Sequence, residues 1–149
     1  MRIAFAIANL FPGGGLQRDC IEIAKLIRKA GHEIVIHTAR LNRSIASDNL
    51  AVVVLPNTAR TNHSRQQRFA ADVLAATAGT FDALVGFEKL SGLDVLYCAD
   101  PSMYFRVLQR PYLSLLPRYR TLAGLEGESF APGRQTQIML LSQNQYKQY

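Results

Sequence analysis

The sequence predicts an α/β fold, a Rossmann-like parallel sheet with helices on both faces. Apolar runs of strand length alternate with segments of helical period along almost the whole chain. Several of those runs are apolar at nearly every position, as strands covered on both faces require. The first of them enters a glycine-rich loop that opens directly into a helix.

In order, Arg2–Ala8 reads as a buried strand, and Asn9–Asp19 (Asn-Leu-Phe-Pro-Gly-Gly-Gly-Leu-Gln-Arg-Asp) as the loop around which the rest is organised. Leu16, Cys20, Ile23, Ile27 and Ala30 then recur every three or four positions, one face of a helix that Gly31 stops. His32–Thr38 alternates as a second strand, Arg40–Asn49 is a polar loop, and Leu50–Leu55 is a third strand closed by Pro56. Thr61–Ala78 is an alanine-rich helix ending at Gly79, followed by strands at Ala83–Phe87 and Leu93–Cys98. A basic and apolar segment, two helices split near Pro111 or Pro117, runs to about Phe130. Gln137–Leu141 is a sixth strand, and Ser142 caps a last short helix.

The 149 residues suit one domain, 1–149, and are too few for two full ones. A 48% apolar and 19% charged composition is that of a globular protein. No apolar run approaches the roughly 20 residues of a spanning helix, and no secretory signal precedes the first strand. Cys20 and Cys98 read as buried thiols in a reducing cytoplasm, not as a disulfide framework or metal site. The formal charge of +6 is unevenly placed: Arg106, Arg110, Arg118 and Arg120 lie in an acid-free stretch from Pro101 to Leu125, and Arg60, His63, Arg65 and Arg68 form a smaller block. Such charge favours phosphorylated ligands or anionic lipid. Nucleic acid is disfavoured, because no recognition motif or aromatic stacking platform accompanies it.

In doubly wound sheets, ligands bind beyond the carboxyl ends of the strands, where strand order reverses. The unusual features all follow predicted strands: the glycine loop, Thr61-Asn62-His63, Glu88-Lys89 and Asp100. Glycines at a helix start can turn backbone N–H groups toward an anion or can simply make a tight turn. The pattern is neither G-x-G-x-x-G nor the Walker loop.

Phe11-Pro12-x-Gly14-Gly15-Leu16-Gln17-Arg18-Asp19, Thr61-Asn62-His63, Gly86-Phe87-x-Lys89, Gly92-Leu93-Asp94-Val95, Ala99-Asp100 and Arg118-Tyr119-Arg120 occur in this order and spacing. Together they resemble the amino-terminal half of the lipopolysaccharide core glucosyltransferase I family, retaining enzymes of glycosyltransferase family 4 with the GT-B fold. The resemblance implies transfer of glucose from UDP-glucose to a heptose of the lipopolysaccharide inner core, at the inner face of the cell membrane. It implies an acceptor-side domain here, with the carboxyl-terminal donor-binding domain absent and therefore little activity alone; a separate chain could supply that domain. No cofactor or metal is expected beyond the UDP-glucose donor. The alternative is a non-catalytic membrane-surface or partner-binding domain.

By that resemblance Gly13, Gly14 and Gly15 face the donor diphosphate. Asp19 bonds an acceptor or sugar hydroxyl, unless it only answers the dipole in the first turn of its helix. Asp100, at the sheet rim, orients the attacking acceptor hydroxyl, the catalytic role, or else caps a helix. His63 and Arg65 contact the acceptor's phosphate or hydroxyls. Lys89 neutralises phosphate, although its neighbour Glu88 departs from the amide expected in the family. Glu126 also matches the family pattern, and a surface helix position explains it equally. The segment from Met103 to Arg120 is read as a membrane surface, with Tyr112, Leu113 and Leu116 at the acyl boundary and Arg106, Arg110, Arg118 and Arg120 on headgroups.

Overall fold

The computed structural model describes residues 1–42, 49–131, 133 and 135–149. The polar loop expected over 40–49 therefore lies, for residues 43–48, outside the described residues. The elements are β1 (Arg2–Ala6), β2 (Asn9–Leu10), α1 (Gly15–Lys29), β3 (Glu33–Thr38), β4 (Arg40–Leu41), β5 (Ala51–Val54), α2 (Asn62–Thr77), β6 (Ala83–Gly86), β7 (Val95–Cys98), α3 (Met103–Gln109), α4 (Pro117–Phe130), β8 (Gln137–Leu140) and α5 (Gln143–Tyr146). A 3-10 turn at Pro111–Leu115 joins α3 to α4. Both prolines act as breaks, each sitting at the start of its own helical piece.

The main sheet has six parallel strands in the order β5-β3-β1-β6-β7-β8. The chain builds outward from β1 through β3 to β5, returns through α2, and builds outward again from β6. Strand order thus reverses between β1 and β6, whose register pairs Ala6 with Gly86. Alternation along β1 divides the core in two. Ile3, Phe5 and Ile7 join Cys20 and Ala24 of α1, whereas Ala4 and Ala6 join Phe69, Ala70 and Val73 of α2 and Leu125 of α4. The alanines let the second helical layer approach closely.

Coverage of the sheet is complete only at its centre. Val53 and Val54 on β5 and Met139 on β8, the two edge strands, are exposed. The minor ladder β2–β4 is unexpected. It forms because β1 and β3 end side by side, so the chains leaving them run on together: the amides of Ala39 and Arg40 donate to the Ala8 carbonyl, each at 3.1 Å.

Helix ends follow their local chemistry. Gly13, at φ +95°, makes the left-handed turn before α1, and Gly31, at φ +89°, lets the amide of His32 reach the Ile27 carbonyl after it. Thr61 caps α2 in a reciprocal box with Ser64.

Candidate functional site

At the strand-order reversal, the loops leaving β1 and β6 are tied by one bond: the Ala8 amide donates to Glu88 Oε1 at 3.1 Å. Beside that bond lies a cavity of about 280 Å³ lined by Asn9, Arg40, Asn57, Asn62, Arg65, Gln66 and Glu88, among others. A second cavity of about 280 Å³ shares Gln66 and continues to Lys89, Asp100, Met103, Arg106 and Arg118. Residues from the loops after β1, β3, β5, β6 and β7 and from α2, α3 and α4 therefore meet at the carboxyl edge of the sheet, where this topology places ligands.

Glu88 is half-buried and accepts only the Ala8 amide among the described residues. Burial, reinforced by the nearby negative charge of Asp100 and only partly relieved by that amide, pushes its carboxyl up from 4.5 to about 7. Sequence reasoning treated Glu88 as a disturbance of Lys89. The available signal was an acid placed directly after an apolar strand that ends in Gly86-Phe87.

Lys89 is not a free cation. Its Nζ donates to Glu126 Oε2 at 2.7 Å and to the Pro101 carbonyl at 3.0 Å, with side-chain exposures of 11% for Lys89 and 4% for Glu126. Glu126 is accordingly not a surface residue. It also accepts Ser102 Oγ at 2.6 Å and the amides of Met103 at 2.7 Å and Tyr104 at 3.1 Å, closing the start of α3 from outside. Burial alone would raise this carboxyl, but Lys89, Ser102 and the Met103 amide outweigh it and hold it below its ordinary value. Lys89, expected at a phosphate, is thus engaged in a structural ion pair while it lines the second cavity.

Asp100 lies two residues beyond β7, exposed, and its side chain lines the second cavity. It is not a helix cap; Ser102 caps α3 by accepting the Phe105 amide at 3.0 Å. The backbone of this loop is held from the carboxyl-terminal side. Gln145 Nε2 donates to the carbonyls of Cys98 and Ala99, and the Tyr149 hydroxyl donates to that of Asp100 at 3.1 Å. The Tyr149 ring stacks on Phe130 with centroids 4.2 Å apart.

The remaining expected site residues divide. Arg65 lines the first cavity, its Nε donating to the Ala59 carbonyl at 2.7 Å. His63 does not line it, because its Nε2 turns back on Thr61 Oγ1 at 3.2 Å, and Asn62 and Gln66 take its place. The Asn62 and Gln66 spacing of four, beside the apolar stripe of Phe69 and Val73, was the overlooked signal. Gly13, Gly14 and Gly15 line neither cavity; they sit at the start of α1, where the first backbone bond runs from the Arg18 amide to the Gly14 carbonyl. Asp19 falls in the second turn of α1 rather than the first, and accepts the Tyr97 hydroxyl at 3.0 Å. Cys20 is buried, its thiol pushed up to about 12 by desolvation, so it is a core residue.

In the basic segment, Tyr112 is 61% and Leu115 81% exposed, and Tyr104, Leu108 and Leu116 are exposed with them. Leu113 is the correction: it is 6% exposed and packs inward, because the 3-10 turn points it away from its neighbours. Arg106 and Arg118 line the second cavity, while Arg110 and Arg120 are exposed outside both cavities. Among the described residues, no helix is long and apolar enough to cross a membrane.

No protein-family model matches the chain. The curated lipopolysaccharide glucosyltransferase WaaG of Escherichia coli (strain K12) is 32% identical over 148 residues, which is 97% of this chain and 39% of that protein. A crystal structure of WaaG, described as a glycosyltransferase involved in lipopolysaccharide biosynthesis, superposes with a TM-score of 0.90 at 32% identity, covering 98% of this chain and 40% of that one. The chain thus spans about two fifths of the length of the relatives it matches. The resemblance read from the sequence is borne out, and with it the fold: a WaaG-like, amino-terminal Rossmann-like unit.

Proposed function

We propose that these 149 residues form the acceptor-side domain of a retaining glycosyltransferase that moves glucose from UDP-glucose to a heptose of the lipopolysaccharide inner core. The observation that carries this reading is the similarity to WaaG along 97% of the chain, with two adjoining cavities at the strand-order reversal. A lipopolysaccharide acceptor and a nucleotide sugar are the partners, and a second domain, on the same or another chain, holds most of the donor.

The residues divide the work. Asp100 carries a carboxylate with no hydrogen-bond partner among the described residues, so it is free to accept a bond from the acceptor hydroxyl and hold it toward the anomeric carbon. In a front-face transfer the leaving phosphate takes the proton, so Asp100 orients rather than deprotonates. The amides at the start of α1 and the turn at Gly13–Gly15 face the donor diphosphate once the cleft is assembled. Arg106 and Arg118, rather than Lys89, supply positive charge to a phosphate in the second cavity. Tyr104, Leu108, Tyr112, Leu115 and Leu116, flanked by Arg110 and Arg120, rest on anionic lipid and make the protein peripheral on the inner face of the membrane.

The test joins this chain to the carboxyl-terminal portion of the E. coli relative and supplies UDP-glucose and a heptose-terminated core. Glucose transfer by the joined protein, absent from the 149 residues alone, is the expected result. No transfer by a folded joined protein contradicts it.

A further inference from the structure

Two guanidiniums face the first cavity with no acid paired to either. Arg40 makes no side-chain bond to any described residue, and Arg65 spends only its Nε, on the Ala59 carbonyl. Asn57 holds the same turn from the other side: its Nδ2 donates to the Arg65 carbonyl at 2.6 Å and its Oδ1 accepts the Ala59 amide at 3.2 Å. The turn therefore fixes Arg65 at its Nε and leaves its Nη hydrogens without an acceptor among the described residues, a fork that suits a carboxylate or phosphate. Its neighbour on α2 differs: Arg68, three residues on and outside both cavities, is paired with Asp72 at 2.9 Å. The side-chain amides of Asn9, Asn62 and Gln66 line the cavity beside the two arginines, and they both donate to and accept from hydroxyls.

We propose that Arg40 and Arg65 form an anion clamp and that the first cavity takes one acidic saccharide unit, with its carboxylate or phosphate on the two guanidiniums and its hydroxyls on the amides of Asn9, Asn62 and Gln66. The inference rests on the saccharide-transfer reading and adds to it the chemical class of the unit held between α2 and the loop after β1. At about 280 Å³ the cavity is at the small end of ligand pockets, the size for one ring and not for a chain of them.

Glu88 does not cancel the clamp. It is the one acid lining this cavity among the described residues, and neither arginine is paired with it. Burial, with the negative charge of Asp100 in the loop after β7, pushes its carboxyl up to about 7. Two guanidiniums therefore stand against one carboxylate at most, and against none where Glu88 is protonated. Lys89, next in sequence, is taken up by Glu126. Net positive charge and forked donors favour an acidic ligand over a neutral one.

The experiment is an NMR titration of the chain with methyl glucuronide, glucose 6-phosphate and uncharged methyl glucoside, for the wild type, Arg40→Gln, Arg65→Gln and Arg68→Gln. At least one acidic sugar should bind the wild type about tenfold more tightly than methyl glucoside, the scale of one charged hydrogen bond. Which of the two does so tells carboxylate from phosphate. Arg40→Gln removes no bond within the described fold and should bring that preference to about threefold or less. Arg65→Gln should do the same, with an unchanged amide spectrum verifying its fold. Arg68→Gln makes the same change of charge outside the cavities and should leave the preference in place. Equal binding of the three sugars, binding of none, a preference that survives Arg40→Gln, or one that Arg68→Gln removes as fully overturns the proposal. Glucose transfer is not read, so a clamp found in a protein that never supports transfer upholds Arg40 and Arg65 and fails only the transferase reading.

Discussion

Two glutamates stand close to Lys89, and their surroundings give them opposite properties. Glu126, on α4, receives four donors from three other segments and is held ionised below its ordinary value. Glu88, after β6, receives one donor and is pushed up to about 7. A satisfied buried carboxylate locks elements together; here it fixes the start of α3 to α4 and to the β6 loop. A carboxyl with unused acceptor capacity beside a cavity is available to a ligand. The region around Glu126 is therefore scaffold, and the region around Glu88 and Asp100 is the candidate site.

The largest expected effect tests the scaffold half. Glu126→Ala strands Lys89 in a nearly dry position, and breaking such a pair from one side costs about 3–5 kcal/mol. Urea unfolding should show that loss, whereas Glu88→Gln at pH 7 should not destabilise the chain at all. A Glu126→Ala loss below about 1 kcal/mol would erase the contrast.

Asp100→Ala tests the site half. In the joined two-domain protein it should lower glucose transfer by about 10²–10⁴-fold with an unchanged melting temperature. Unchanged turnover in the folded variant removes Asp100 from the reaction.

The segment from Met103 to Arg120 carries the same distinction within a few residues. Leu113→Ala, in the core, should cost about 2–5 kcal/mol of folding stability. Changing Arg106, Arg110, Arg118 and Arg120 together to glutamine should leave folding intact and weaken co-sedimentation with anionic vesicles by up to about 1 kcal/mol per arginine. That binding should fade as salt rises, since screening acts over roughly 8 Å at physiological ionic strength. Equal vesicle binding by wild type and variant assigns the segment to the fold alone.

The smallest effect is a pair of opposite pH slopes. Glu88 has a folded value near 7, above its ordinary 4.5, so the folded state holds a proton that the unfolded chain releases. Its ionisation cost is absent below about 4.5 and complete above about 7. Glu88→Gln should accordingly gain on the order of 1 kcal/mol over the wild type at pH 8, after allowance for partial exposure, and nothing at pH 4. Glu126 is depressed, so its contribution is present above 4.5 and lost as pH falls through its folded value. Thermal melts across pH 3–8 measure both slopes, and a gain for Glu88→Gln that is equal at pH 4 and 8 would contradict the raised carboxyl.

The periodicities made the six strands and the order of helices legible, because the central strands bury both faces and the caps at Thr61 and Ser142 are local chemistry. The edge strands were less legible, since Ala51–Val54 is apolar by composition yet exposed by position. The site was legible as a rim but not in its partners. Lys89 and Glu126 are 37 residues apart, as are no two groups that a local pattern can pair, and only the packing of α4 over the β6 loop brings them together. His63 is a different case: it looked like a contact, although Thr61, two residues before it, already holds its ring.

On the proposed function, this domain holds the acceptor and only a minority of the donor. Calorimetric titration of the chain with a deacylated, heptose-terminated core oligosaccharide and, separately, with UDP-glucose tests it most directly. The prediction is saturable binding of the oligosaccharide, with UDP-glucose binding too weak to saturate. Tight UDP-glucose binding without oligosaccharide binding would contradict it.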